Sequence, residues 1–544
     1  MKTRPIILVL MVLLIGSAFA SVVSAQVSAN YDGLRAELKD SARLNELLIE
    51  LTEVKLNKAV PVLNELEKLG GEDMLPLFQT MLKGDLYYLK KGKSLAAKHD
   101  GVFKGVFNGE AIEGLKSSAT KKVKVNNKLR RVLRESISRI QLNSPKASVR
   151  EKAIISLLSE LDSSIVKTLN ERKALEKDED VLDIMDVAFA MYTVQTSDSV
   201  TDKVDAIKFL GGRLENDVRN LLIQVKENED NAQIIAAVSK ALKSIEQRVE
   251  NFQFVDKLFF GLSLGSVLLL AAIGLAITFG VMGVINMAHG EMIMLGAYTT
   301  YVVQMFIPVD YSIWVAIPAA FVVSGLVGIL IERGVIRHLH GRPLETLLAT
   351  FGISLILQQL VRTIFSPLNR QVESPSWMSG SLDINPVLSL TMNRLYILAF
   401  ALLVFGLLLL VLNRTSLGLN VRAVAQNRNM AKAMGIRTDR VDAMTFGLGS
   451  GIAGMAGVAL SQLTNVGPNL GQAYIIDSFM VVVFGGVGNL WGTLVAGFSL
   501  GIANKFIEPI TGAVLASILV LIFIILFIQK RPKGLFPQKG RAAE

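Results

Sequence analysis

From Arg394 the chain reads Arg394-Leu-Tyr-Ile-Leu-Ala-Phe-Ala-Leu-Leu-Val-Phe-Gly-Leu-Leu-Leu-Leu-Val-Leu-Asn413. It continues Arg414-Thr-Ser-Leu-Gly-Leu-Asn-Val-Arg422-Ala-Val-Ala-Gln-Asn-Arg428-Asn-Met-Ala-Lys432-Ala-Met-Gly435-Ile-Arg437-Thr-Asp439-Arg440-Val-Asp442. An apolar run of membrane-spanning length gives way to a basic island. Arg414, Arg422, Arg428, Lys432, Arg437 and Arg440 stand against only Asp439 and Asp442, which places the island on the cytoplasmic side. Within it, Asn429 can cap a short helix over 430–434, and Gly435 can end that helix in a left-handed conformation. A short capped helix on the cytoplasmic face suits contact with a soluble partner.

Long apolar runs separated by short polar turns begin well before this island, at Leu258. They place spans near 258–284, 289–307, 311–332, 345–365, 394–413, 441–463 and 512–529. Arg333, Arg337, Arg342, the island and Lys530-Arg531-Pro532-Lys533 share the cytoplasmic side, whereas 366–393 and 464–475 are nearly neutral and face outward. An exported N-terminus and a cytoplasmic C-terminus require an odd number of crossings, so 476–507 must cross twice or enter and return. About eight spans result, one of them broken or re-entrant.

The sequence before Leu258 is of another kind. Lys2 and Arg4, the apolar run from Ile6 to Ile15 and small residues around Ala18-Phe19-Ala20 and Val23-Ser24-Ala25 read as a secretory signal over 1–25. Residues 26–250 follow as an exported domain, ahead of a membrane domain over 251–535 and a cytoplasmic tail over 536–544. Leu34, Leu38, Leu44, Leu47, Leu48 and Leu51 recur at helical spacing, and strand periodicity is almost absent, so the domain is expected to be α-helical. Val149 to Leu169 resembles Lys203 to Leu222, and Ile234 to Val249 begins another such pattern; HEAT-like helix pairs or ordinary amphipathic helices both account for this. The fold class is therefore all-α, a helical exported domain followed by a polytopic membrane domain.

The mean hydropathy of +0.44 over 544 residues averages these unlike halves. Residues 26–257 hold 37 Lys and Arg against 36 Asp and Glu, and 258–544 hold 18 against 11, so the surplus charge orients membrane helices and does not call for nucleic acid. No cysteine is present, which excludes disulfides, thiolate zinc sites and cysteine nucleophiles. The run Lys121, Lys122, Lys124, Lys128, Arg130, Arg131, Arg134 and Arg139 is either a solvated helix face or a contact for anionic lipid or an acidic partner. Gly92-Lys93-Ser94 falls short of a phosphate loop because Tyr87 stands where its first glycine belongs.

Two polar interruptions carry the candidate path. Phe484-Gly485-Gly486-Val487-Gly488-Asn489-Leu490-Trp491-Gly492-Thr493 has too many glycines for an ordinary span and reads as a broken hairpin turning near Gly488 and Asn489. Irregular backbone at membrane depth requires burial or a wet cavity, so Gly485, Gly486, Gly488, Asn489 and Thr493 are either path-lining or, as glycines, close helix contacts. The second interruption, Ile285-Asn286-Met287-Ala288-His289-Gly290-Glu291, joins the first two spans. Asn286, His289 and Glu291 there can cap helix ends or line the inner mouth; His289 has no second histidine at helical spacing, so no metal site is expected. Gln358, Gln359 and Arg362 are candidates for interhelical hydrogen bonds or for lining, and His338 and His340 are expected in solvent.

Leu262-Ser-Leu-Gly-Ser266, the 285–291 segment, the island ending Met434-Gly435-Ile436, Phe484-Gly-Gly-Val-Gly488 and Arg531-Pro-Lys-Gly-Leu-Phe536 occur in this order. Together they resemble a permease of the branched-chain amino acid ABC importers, across nearly all of 258–536. The signal and the long exported extension look like those of urea-transporter permeases of that family. Such a resemblance implies an inner-membrane subunit with no cofactor of its own. It forms half a translocation path with a second homologous permease subunit, is fed by a periplasmic substrate-binding protein, and is driven by two cytoplasmic ATPases that bind the ATP. The segment Arg428, Asn429, Ala431, Lys432, Ala433 and Gly435 would be the coupling contact with an ATPase, although Met430 and Lys432 depart from the family's usual acidic residue and alanine. Urea, small and neutral, would use amides and hydroxyls such as Asn286, Asn489 and Thr493; branched-chain amino acids are the alternative substrate. A membrane-anchored periplasmic interaction platform is the reading from another class. An enzyme is disfavoured because no acid/base pair, metal cluster or activated nucleophile emerges.

Overall fold

The computed structural model describes residues 41–536, apart from 55–57, 91, 100, 101, 111, 113, 114 and 116–118. The expected signal over 1–25 and the tail beyond Phe536 lie outside the described residues. The chain divides into two compact units, Met1–Glu246 and Gln247–Glu544.

The first unit is mainly helical, with one departure from expectation. Helices α1 (Ser41–Glu53), α2 (Ala59–Gly70) and α3 (Leu75–Lys83) lead into strands β1 (Leu86–Leu89), β2 (Leu95–His99), β3 (Val102–Gly105) and β4 (Thr120–Lys122). The strands form an antiparallel sheet of order β3-β2-β1-β4. Strands of three to five residues are too short to declare a period of two, although Leu86-Tyr-Tyr-Leu89 has the aromatic content that strands favour. Gly92 and Lys93, both at positive φ, turn the β1–β2 hairpin, so the phosphate-loop look-alike is a hairpin turn. Leu47, Leu63, Leu66, Phe78, Leu86 and Leu133, the last from α4 (Asn127–Gln141), close a common core. Of the basic run, Arg134 pairs with Glu160 and Arg139 with Glu67, which makes that part a counter-charged helix face.

The remaining helices of this unit are α5 (Ala147–Leu157), α6 (Ser163–Lys173), α7 (Glu179–Thr196), α8 (Val200–Leu210) and α9 (Asn216–Asn228). Asp162, Asp178 and Ser199 cap α6, α7 and α8 by accepting a backbone N–H three residues on. Each of the two look-alike segments covers a helix, a turn and a second helix: α5 with α6, and α8 with α9. Arg150 on α5 holds Glu176 through two hydrogen bonds of 2.7 and 2.8 Å.

In the second unit every expected span has a helix. These are the apolar half of α10 (Ala232–Met282), then α11 (His289–Phe306), α12 (Val309–Gly334), α13 (Pro343–Phe365), α14 (Met392–Arg414), and, after the island, α17 (Thr438–Ser461) and α20 (Ala513–Lys530). The segment 476–507 resolves into two helices, α18 (Leu470–Gly485) and α19 (Leu490–Thr511), broken where the glycine reading put the break. Seven helices of the described residues are long and apolar enough to cross a membrane; α11 and the 16-residue α18 are not among them. A short hairpin, β5 (Ser381–Asp383) with β6 (Ser389–Thr391), sits in the connection between α13 and α14. Helix α17 is the centre of the packing. A Cβ placed on Gly296 of α11 would lie 2.0 Å from the Gly454 carbonyl oxygen of α17, so these helices cross at backbone contact and only glycine fits there.

Candidate functional site

The first site is built on a broken helix. Gly283, at φ +66°, ends α10, and the chain stays non-helical until His289 opens α11. In that stretch the Asn286 side chain accepts from Ala288 N–H at 3.0 Å, and Met287 N–H donates to Thr350 Oγ1 of α13 at 3.1 Å. His289 Nε2–H donates to the Ala271 carbonyl at 2.9 Å, which fixes the tautomer because a carbonyl only accepts. Ala271 lies about 16 Å of helix before the end of α10 at ~1.5 Å per residue. The 283–288 connection therefore climbs back along α10, and α11 starts level with the middle of the apolar half of α10.

Two residues on, Glu291 Oε1 accepts from Ser354 Oγ at 2.9 Å and from Gln358 Nε2 at 2.7 Å, both on α13. Asn286, His289 and Glu291 are 2%, 0% and 1% exposed. The structure thus holds all three as capping and interhelical groups, with almost no accessible surface in this conformation. Gln358 belongs to the same network, Arg362 donates to Asn469 Oδ1 at 2.7 Å, Gln359 is exposed, and His338 and His340 are exposed as expected. Thr350 and Ser354 were silent in the sequence because hydroxyls in an apolar helix have no periodic signature.

The second site is the α18–α19 break. Gly485 and Gly492 face each other, a Cβ on either falling within 2.4 Å of the other's carbonyl oxygen, so close packing accounts for both. Gly486 and Gly488 turn the chain at φ +104° and +79°. Asn489 Oδ1 accepts from Gly492 N–H and its Nδ2 donates to the Phe536 carbonyl, while buried Thr493 donates its hydroxyl to the Asn489 carbonyl. Leu535 and Phe536 N–H donate to the Phe484 and Gly485 carbonyls. Two motifs separate in sequence are therefore one stitched unit. Thr493 is spent on helix structure, and Gly488 and Asn489 line a cavity of about 770 Å³ together with Gly280 of α10, Asn413 of α14 and Arg422.

The third site is the island itself. Thr415 caps α15 (Ser416–Gln426), and Asn427, not Asn429, caps α16 (Arg428–Ala433) by accepting from Met430 N–H at 2.9 Å. The helix starts earlier than expected, which puts Asn429 inside its first turn. Gly435 has the expected left-handed conformation at φ +85°. Ala431 is buried against Val421, Val424 and Val441, and Arg428 forms a two-pronged ion pair with the buried Asp442 at the start of α17. Asn429, Met430, Lys432, Ala433, Met434 and Gly435 are exposed. Two methionines, 61% and 77% exposed, sit on this otherwise polar segment, a surface suited to a partner.

Comparison with known proteins agrees with this layout. The high-affinity branched-chain amino acid transport system permease protein LivH of Salmonella typhimurium is 31% identical over 296 residues, covering 52% of this chain and 95% of the relative. The corresponding protein BraD of Pseudomonas aeruginosa is 30% identical over 299 residues, covering 53% and 96%. A probable branched-chain amino acid transport permease protein LivH of Methanocaldococcus jannaschii is 29% identical over 250 residues, covering 44% and 77%. No solved structure matches the chain. The family described as branched-chain amino acid transport system / permease component matches residues 257–528, which hold the broken helix, the island and the stitched hairpin. On that match the chain belongs to the branched-chain amino acid ABC permease family, whose members are transport components without ATPase activity.

Proposed function

We propose that the chain forms half of the translocation path of an ATP-driven importer for branched-chain amino acids. The observation that carries this reading is the match over 257–528 together with relatives named for that substrate and covered almost end to end. The physical case for urea rested on Asn286, Asn489 and Thr493 as path groups. Asn286 and Asn489 are engaged as helix caps and Thr493 in a bond within its own helix, which weakens that support.

In this reading residues 1–25 are a signal, 26–250 an outer-side domain, 251–535 the permease domain and 536–544 a cytoplasmic tail. The coupling helix α16 meets one of two ATPases, a second homologous permease completes the path, and a periplasmic binding protein delivers the substrate. The orientation is supported by the gathering of the basic segments at one end of the helices: Arg337 donates to Asp439, and Arg422 shares a cavity with Phe536 of the C-terminal motif. The test is uptake of labelled leucine and, separately, labelled urea at micromolar concentration in cells with and without the gene. Loss of leucine uptake alone supports the proposal; loss of urea uptake alone overturns it.

A further inference from the structure

Within the membrane unit, Asp477 is an isolated carboxylate in the apolar helix α18. Among the described residues it makes no ion pair and receives no hydrogen bond. An ionisable group at such a position is costly unless it serves something, and it is only partly buried. It lines an open-sided cavity of about 320 Å³ between α10, α18, α19 and α20. That volume lies at the lower end of the ~300–1,000 Å³ typical of small-molecule sites.

The lining sorts into two regions. One wall is apolar, with Leu264, Leu268, Leu500 and Val520. The polar groups are Asp477, Asn504, Lys505 and Ser517, with Glu508 beside the lysine. Lys505 Nζ is 2.6 Å from Glu508 Oε2, and Asn504 Nδ2 donates to Ser517 Oγ at 3.4 Å. A cavity holding an unpaired anion, a lysine that can exchange its Glu508 partner for a ligand carboxylate, an amide and a branched apolar wall has the complement of a zwitterion with an aliphatic side chain.

We propose that this cavity is a binding site for the branched-chain amino acid itself. Asp477 receives the α-ammonium, Lys505 and Asn504 receive the α-carboxylate, and the apolar wall takes the side chain. The inference rests on the amino acid reading of the previous subsection and adds a site within it. Neither Asp477 nor Lys505 was singled out in the sequence, because one acid in an apolar run and one lysine near a span end both pass as ordinary.

The natural absence of cysteine makes a direct occupancy test possible in the full chain, expressed with its partners in membranes. Ser517→Cys introduces one thiol on the cavity wall and leaves every charge in place. Its reaction with a small maleimide is followed with and without millimolar leucine, urea or 4-methylpentanoate, which lacks the ammonium. Protection by leucine alone, abolished by Asp477→Asn, is the expected result. Charge-assisted contacts of this kind correspond to an affinity loss of about ten- to a hundredfold for Asp477→Asn. Equal labelling with and without leucine, or equal protection by leucine and 4-methylpentanoate, overturns the site. Wild-type leucine uptake, measured in the same cells, separates failure of the site from failure of the transport reading: uptake without protection removes the site alone, and no uptake removes the reading on which it rests.

Discussion

Arg428 is the single charged link between α16 and the membrane helices, as drawn by the ion pairs of the described residues, and its removal gives a quantitative test. Its guanidinium is 29% exposed, whereas the Asp442 carboxylate it grips is 4% exposed. Glu332, also buried, lies within electrostatic reach of Asp442. Arg428→Met would leave the Asp442 carboxylate buried without its cation and beside the charge of Glu332. Removing one partner of a fully buried pair costs about 3–5 kcal/mol. The partial exposure of Arg428 lowers this to about 2 kcal/mol, or a factor of about 30 in local opening. Hydrogen exchange over 415–442 in the purified full chain should accelerate by that factor, with little change in α12. Leucine uptake should fall in parallel. The double variant Arg428→Met/Asp442→Leu removes both the cation and the stranded acid, and should recover most of the protection because apolar replacements of a buried pair are tolerated. The reasoning fails if the single variant exchanges like wild type, or if the double variant is as damaged as the sum of its parts.

Gly296→Ala should reduce the fraction of protein that survives mild heating in detergent, by about 1–3 kcal/mol of overpacking or more. Its methyl group would meet the Gly454 carbonyl oxygen at 2.0 Å, while Gly352→Ala, with nothing within 4 Å, should be neutral or slightly stabilising. Glu291→Gln keeps an oxygen for Ser354 and Gln358 and should retain leucine uptake. Glu291→Leu strands both donors at about 1–3 kcal/mol and should lower the amount of folded protein in the membrane; loss of uptake by the Gln variant at normal abundance would instead make the carboxylate functional. In the first unit, the hydrogen bonds from Arg150 hold the Glu176 carboxyl down at about 2 from 4.5. A lowered folded value means the stabilisation is complete above about pH 4.5 and is lost as pH falls toward 2, amounting to about 3 kcal/mol. Hydrogen exchange over 147–196 across that pH range should show the loss in wild type and a flatter profile in Glu176→Gln.

The span pattern was legible because hydropathy runs and basic turns act over twenty residues at a time, and the hairpin break was legible because Gly485, Gly486 and Gly488 crowd into four positions. The sheet at 86–122 was not, since its strands are shorter than the window in which alternation can be recognised. The cap of α16 was misplaced by two residues because Asn427 and Asn429 are equally good caps in isolation. The choice between them is made by Arg428 reaching Asp442 and Ala431 packing on Val421, contacts from residues distant in sequence. The depth of His289 was equally hidden. A polar interruption between two apolar runs reads as helix caps or mouth lining, and only its bond to the Ala271 carbonyl reveals that the second helix begins midway along the apolar half of the first.

That depth bears on how motion at α16 reaches the broken helix. The helix α17 carries Asp442 at one end, where Arg428 holds α16, and along its length it meets α10 and α11 at backbone contact. A Cβ on Gly274 would lie 2.2 Å from the Gly449 carbonyl oxygen, and one on Gly457 would lie 2.0 Å from that of Ile293. Long flexible side chains between helices absorb a displacement by changing rotamer, whereas backbones in direct contact have no such freedom, so shifts of α17 are passed to its neighbours as rigid movements. Ile293 is two residues from Glu291, and Gly274 sits against the His289 ring. Under the proposed function, a displacement of α16 by an ATPase therefore acts on the 283–291 break through one helix and two glycine contacts. The buried polar network of His289, Glu291, Ser354 and Gln358 then has a mechanical reading: it gives the broken helix a defined resting position from which such a displacement can move it.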